Sequence, residues 1–167
     1  MKQTKRIPLI AIPMLAIFML VTIPVTQTGC KSVNGTNVFD VDAASKAITS
    51  VLGPVVVFEE NADPSTIVDF QTASAGLGVL LSNNTFDAAT LRAKLEPLGK
   101  TPIVKLAIDV AVGLYSTYLG QIVSQGLDQT TYVKPLLQAF KDALDQGVKS
   151  NVKRVKANRA AFPSVFK

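Results

Sequence analysis

Histidine and tryptophan are absent from this 167-residue chain, and cysteine occurs once, at Cys30. Without histidine there is no Ser-His-acid triad and no Cys-His pair. The same absence, with a single thiol, removes every ordinary zinc or transition-metal set except one built from carboxylates alone. No GxGxxG, no phosphate-cradling GxxxxGK[ST], no EF-hand loop and no CxxC occurs. The expectation is therefore a protein that is not an enzyme and that needs neither metal nor cofactor. The catalytic alternative left open is a carboxylate-only enzyme, for example one acting on envelope glycans.

Acid is missing from the start of the chain: all twelve Asp and Glu residues follow Cys30. Ahead of it, Lys2, Lys5 and Arg6 precede IPLIAIPMLAIFMLVTIPV, nineteen uncharged residues from Ile7 to Val25. A short basic region followed by an apolar one is the pattern of an export signal. The next residues are TQTG and then Cys30.

This arrangement resembles a bacterial lipoprotein signal, with small Gly29 just before the cysteine and Gln27 where that family usually has an aliphatic residue. The resemblance covers about thirty residues. It implies removal of residues 1–29 and attachment of two or three acyl chains, such as palmitate, at Cys30. Two chains or more hold stably to a membrane, at about 0.8 kcal/mol per buried CH₂. Lys31 rather than Asp follows the cysteine, which by the same resemblance implies the outer membrane, facing the periplasm, over the inner one.

Three other readings compete. An uncleaved single-pass anchor is one, since nineteen apolar residues at about 1.5 Å each nearly cross a hydrocarbon core of about 30 Å. Pro8, Pro13 and Pro24 interrupt that helix. A secretory signal cut elsewhere leaves an unpaired thiol in an oxidising compartment. A buried, inert cysteine needs a core that the Asn- and Gly-rich surroundings do not offer.

Removing residues 1–29 leaves 30–167, enough for one domain with its own core. Three of the seventeen bases go with the leader, so fourteen bases face twelve acids and the net charge is about +2. The basic character of the whole chain is thus no sign of nucleic-acid binding. Residues 30–40 read as a lipidated tether with a turn-favouring Asn34-Gly35 pair, and 41–167 as one helical bundle.

Within 41–167 the spacing predicts four or five helices and no internal repeat. The first starts near Asp42 and breaks at Gly53-Pro54; VVVFEEN then reads as a short helix or an extended segment, its three valines favouring strand locally and the lack of a nearby alternating run to pair with favouring helix. Asp63-Pro64 opens a helix to about Ser82 that puts Ile67, Phe70, Leu77 and Leu81 on one side. Thr85 caps FDAATLRAKLEPL, with Phe86, Leu91, Leu95 and Leu98 buried. Thr101-Pro102 opens a helix to about Gly126, apolar nearly all round from Leu106 to Tyr115, which marks it as the centre of the bundle. Its Gly113, Ser116 and Gly120 share one face and predict a close helix approach. Thr130 or Thr131 caps a last helix reaching about Ala157, with the stripe Val133, Leu137, Phe140, Leu144, Val148, Val152 and Val155.

Function beyond the anchor is expected at the end of that helix. Lys149, Lys153, Arg154, Lys156, Arg159 and Lys167 lie beyond the last acid, Asp145. They offer a contact surface for anionic lipid, cell-wall polymer or an acidic envelope protein. A solvated helix end favoured by the C-terminal dipole is the plainer reading, and the terminal Phe162 and Phe166 argue for contact. Asp109 is expected at the bundle edge beside Lys105; Glu59-Glu60 and Asp142/Asp145 are expected on the surface. Insertion of Ile103–Val123 into a bilayer is a further alternative, but only about fifteen of its residues are free of charge, short for a span.

Overall fold

The computed structural model describes residues 30–33 and 36–161, with side chains at positions 30, 31 and 38–149. The protein is an all-α bundle of five helices, with one two-stranded hairpin among the described residues. In chain order these are β1 (Cys30–Val33), β2 (Thr36–Phe39), α1 (Val41–Ala62), α2 (Ile67–Asn83), α3 (Ala88–Leu95), α4 (Pro102–Ser124) and α5 (Gln129–Ala161). Short 3₁₀ turns, Pro64–Thr66 and Glu96–Leu98, lead into α2 and out of α3.

Short polar side chains take over backbone amides that have no intrahelical partner at the starts of α1, α3, α4 and α5 and of the 3₁₀ turn that leads into α2, whereas Thr66 at the start of α2 itself makes no such bond. Asp40 accepts from the amide of Ala43, Asp63 from that of Ser65, Asp87 from that of Thr90, and Thr101 from that of Val104. Asp128 does the same for Thr131 at the start of α5. Sequence spacing placed the third and fifth caps on Thr85 and on Thr130 or Thr131; a carboxylate a few residues away takes the role instead. Asn84, at φ 51°, ends α2 in the left-handed conformation that Asn tolerates better than most residues.

Side-chain pairings fix the directions. The Ser45 hydroxyl donates to the carbonyl of Pro135, while Gly147 lies against Val56 and Glu60, so α1 and α5 run parallel. The Ser74 hydroxyl donates to Asp145, and the far end of α2 (Leu81, Ser82) shares a groove with Thr130 and Lys134, so α2 runs antiparallel to both. The hydroxyl of Thr101 donates to Glu59 while Phe39, just before α1, packs edge-on against Tyr118, so α4 is antiparallel as well.

α1 does not break at Gly53-Pro54. Pro54 removes the bond to the carbonyl of Ser50, a change of about 3 kcal/mol in a helix interior. Yet Ser50 and Pro54 both face solvent, where water can serve that carbonyl, while Leu52, Gly53, Val55 and Val56 are buried around them. Packing on the inner face overrides the local break, and the three valines are helical.

α4 is not the centre of the bundle. Val104, Ala107, Ile108, Ala111, Val112, Tyr115, Tyr118 and Ile122 point inward, but Leu106 is 46% and Val123 54% exposed. Gly113, Ser116 and Gly120 face outward, and a Cβ at either glycine would meet nothing within 4 Å. Among the described residues nothing makes the predicted close approach to that face. Both α1 and α4 are long and apolar enough to cross a membrane by length and composition, yet Ile48, Leu52, Ile108 and Tyr115 belong to the core shared with α2, α3 and α5. The centre is the first half of α5, where Val133, Leu136, Leu137, Phe140 and Ala143 are all fully buried between α1 and α2.

Candidate functional surface

Cys30 stands at one end of the bundle. β1 and β2 pair antiparallel with Cys30 opposite Phe39 and Val33 opposite Thr36. What reads as a tether in the sequence is thus a hairpin, pinned by the Phe39 ring against Tyr118 (5.9 Å) and Tyr132 (6.2 Å). The Cys30 thiol is half-buried, with its sulfur 3.9 Å from Oε1 of Gln121 near the end of α4. It therefore has an open side and is not a core residue. The leader, 1–29, lies outside the described residues, as do Asn34 and Gly35. An Asn-Gly pair between two short segments is also a strong hairpin signal, and it was the clue in the sequence that this segment folds. Gln121 carried no such clue, because only the fold brings it to Cys30.

The basic positions stand at the other end. Lys149 is exposed on α5, five residues beyond the core residue Leu144. The helical backbone continues through positions 153, 154, 156 and 159 to Ala161, four residues past the predicted end. The side chains of Lys153, Arg154, Lys156 and Arg159, and the whole of Phe162, Phe166 and Lys167, lie outside the described residues.

The acids lie apart. Asp109 pairs with Arg92 on α3 and with Lys105, 3.5 Å away and one turn back. The Arg92 hydrogen bond, with the charges of Lys105 and Arg92, holds its carboxyl below the usual carboxylate range against an opposing burial effect. Asp145 takes the Ser74 hydroxyl and the Lys141 ammonium, each at 2.6 Å. Burial pushes that carboxyl up, but these two donors outweigh it and hold the value low. Asp142 accepts from Gln138 on the surface. Glu59 and Glu60 are buried rather than on the surface, because α1 turns both towards its neighbours: Glu59 meets Thr101, and Glu60 lies under Gly147.

Three open grooves are lined by described residues. The one between α1 and α5, about 440 Å³, holds Asp142 among Ser45, Thr49, Pro54 and Pro135. A smaller one holds Asp109 with Glu96, Arg92 and Lys105. Of the acids singled out in the sequence, no two line the same groove. No set of three or more metal-ligating side chains converges among the described residues.

No protein-family model, no curated protein and no solved structure matches the chain.

Proposed function

We propose that the chain is a lipoprotein of the bacterial cell envelope with a binding or structural role. Cys30 carries the lipid, the bundle is a rigid body on that anchor, and the basic end of α5 is the contact surface for an anionic partner. The outer membrane, facing the periplasm, is the proposed address.

One observation carries this reading: a basic and apolar leader runs into the chain's single cysteine. The half-buried position of Cys30 at the end of the bundle supports it, since a lipidated residue needs an open side. Arg92, Lys100, Lys105 and Lys141 are tied to acids within the bundle, whereas no acid follows Asp145. That run of bases beyond the last acid supports the C-terminal arm as the cationic surface.

Metabolic labelling with a lipid precursor, in cells expressing the parent or Cys30→Ser, tests the anchor. A labelled, shortened parent and an unlabelled Cys30→Ser chain are expected. A full-length, unlabelled parent in the membrane fraction would replace this reading with an uncleaved single-pass anchor.

A further inference from the structure

The helix directions bear on which anionic partner the arm meets. Cys30 is paired with Phe39, whose ring touches Tyr132 in the first turn of α5. From that level, at 1.5 Å per residue, α5 runs about 25 Å to Lys149 and about 45 Å to Ala161. The anchor and the far end of the arm thus lie at opposite ends of the molecule.

Charge is divided along the same axis. Between Cys30 and Val148 the chain has eight bases and twelve acids, a net of −4. From Lys149 to Lys167 it has six bases and no acid, a net of +6. A body of net negative charge is repelled by an anionic membrane surface, which disfavours the bundle lying on its side against one. Held upright, the arm is several screening lengths from the membrane, since that length is about 8 Å at physiological salt. At 100° per residue, positions 149, 153 and 156 fall within about 60° of one another, and 154 and 159 lie well to either side. The basic positions therefore cover more than half of the helix circumference. A flat layer of headgroups, or a rigid acidic protein patch, meets one face of a helix; a flexible polymer with repeated charges can follow several.

We infer that α5 is a cationic arm held away from the anchoring membrane and that its partner is an anionic cell-wall polymer, not the headgroups of that membrane. This rests on the anchor proposed above, and two measurements keep the two ideas apart. The first uses residues 30–167 with Cys30→Ser, expressed without the leader, and purified peptidoglycan sacculi, and needs no lipid. Sedimentation with sacculi is expected at about 50 mM salt, with affinity falling at least about tenfold by about 300 mM, as for a contact made by several cations. A variant with Lys149, Lys153, Arg154, Lys156 and Arg159 all changed to Gln is expected to lose binding while keeping its melting temperature. If that variant melts early, the salt dependence of the Cys30→Ser chain and the pair Lys149→Gln, Arg154→Gln carry the test.

The second measurement places the full lipidated chain, with Asn158→Cys dye-labelled, on vesicles of zwitterionic lipid or of zwitterionic and anionic lipid mixed. Headgroup quenchers are expected to leave the dye bright on both. Quenching on the mixed vesicles, no binding to sacculi, or binding indifferent to the Gln substitutions would each overturn the inference. The leaderless Cys30→Ser chain, if it still floats with vesicles, would instead count against the lipid as the anchor.

Discussion

α4 and α5 are the two longest helices, and they divide the core in the opposite way to their overall hydrophobicity. α4 carries two charges, Lys105 and Asp109, in 23 residues, while α5 is lined with lysines along its 33. Yet α5 fills the centre, and α4 leaves Leu106 and Val123 in solvent. The reason is spacing. Val133, Leu136, Leu137, Phe140, Ala143 and Leu144 recur every three or four residues, so they form one unbroken stripe that α1 and α2 cover from both sides. Apolarity all round a helix does not specify which face is covered, and here no described residue covers the outer face of α4 around Gly113 and Gly120.

The largest effect that separates the two helices is expected from Phe140→Ala. Phe140 is fully buried and edge-on to Tyr115 at 5.9 Å. Urea unfolding should show a loss of about 3–5 kcal/mol, against a change within about 0.5 kcal/mol for Leu106→Ala on α4. Equal effects would mean that the outer face of α4 is packed as closely as α5 and would remove the contrast.

Glycine substitutions sharpen the same contrast. A Cβ at Gly147 would lie 2.4 Å from Cγ1 of Val56 and 2.9 Å from Oε1 of Glu60, so α1 and α5 must part to admit it. Gly147→Ala is expected to destabilise by about 1–3 kcal/mol. Gly113→Ala and Gly120→Ala meet open space and are expected to stabilise by about 0.5–1 kcal/mol each, because alanine is the better helix former. Thermal melts of the three variants check this, and the reverse order would restore the close approach to α4.

A smaller, distributed effect belongs to the helix starts. Asp63, Asp87 and Asp128 are held below the usual carboxylate range chiefly by the hydroxyls, and next by the amides, of Ser65, Thr90 and Thr131. Asp40 is held low mainly by the amide of Ala43. A carboxyl lowered in the folded state contributes stability that is present above its unfolded pKa, about 3.9, and is lost as pH falls through the folded value. The melting temperature is thus expected to hold from pH 7 to about 5 and to fall below about 4. Asp87→Asn should flatten part of that fall, and a profile unchanged by the substitution would remove the cap from the account.

Much of this architecture is legible in the sequence, because caps and periodic stripes are local. Asp63-Pro64 and Thr101-Pro102 mark the helix starts they signal, and Phe70, Leu77, Leu91, Leu95 and Phe140 are buried as their spacing requires. What is not legible depends on partners distant in the chain. Pro54 stays in α1 because residues around it are packed on the inner face, and β2 is held against the bundle because Tyr118 and Tyr132 receive Phe39. Likewise nothing near Gly113 or Gly147 says which glycine another helix touches. The opposition of Cys30 to the basic arm follows from helix direction alone, and composition and spacing do not encode it.

Intact-mass analysis of the protein extracted from its native membranes tests the central claim most directly. The account predicts a chain that begins at Cys30 and carries the mass of a glyceride-linked pair of acyl chains, with or without a third on its amine. A first residue elsewhere, or an unmodified sulfur at Cys30, would contradict it.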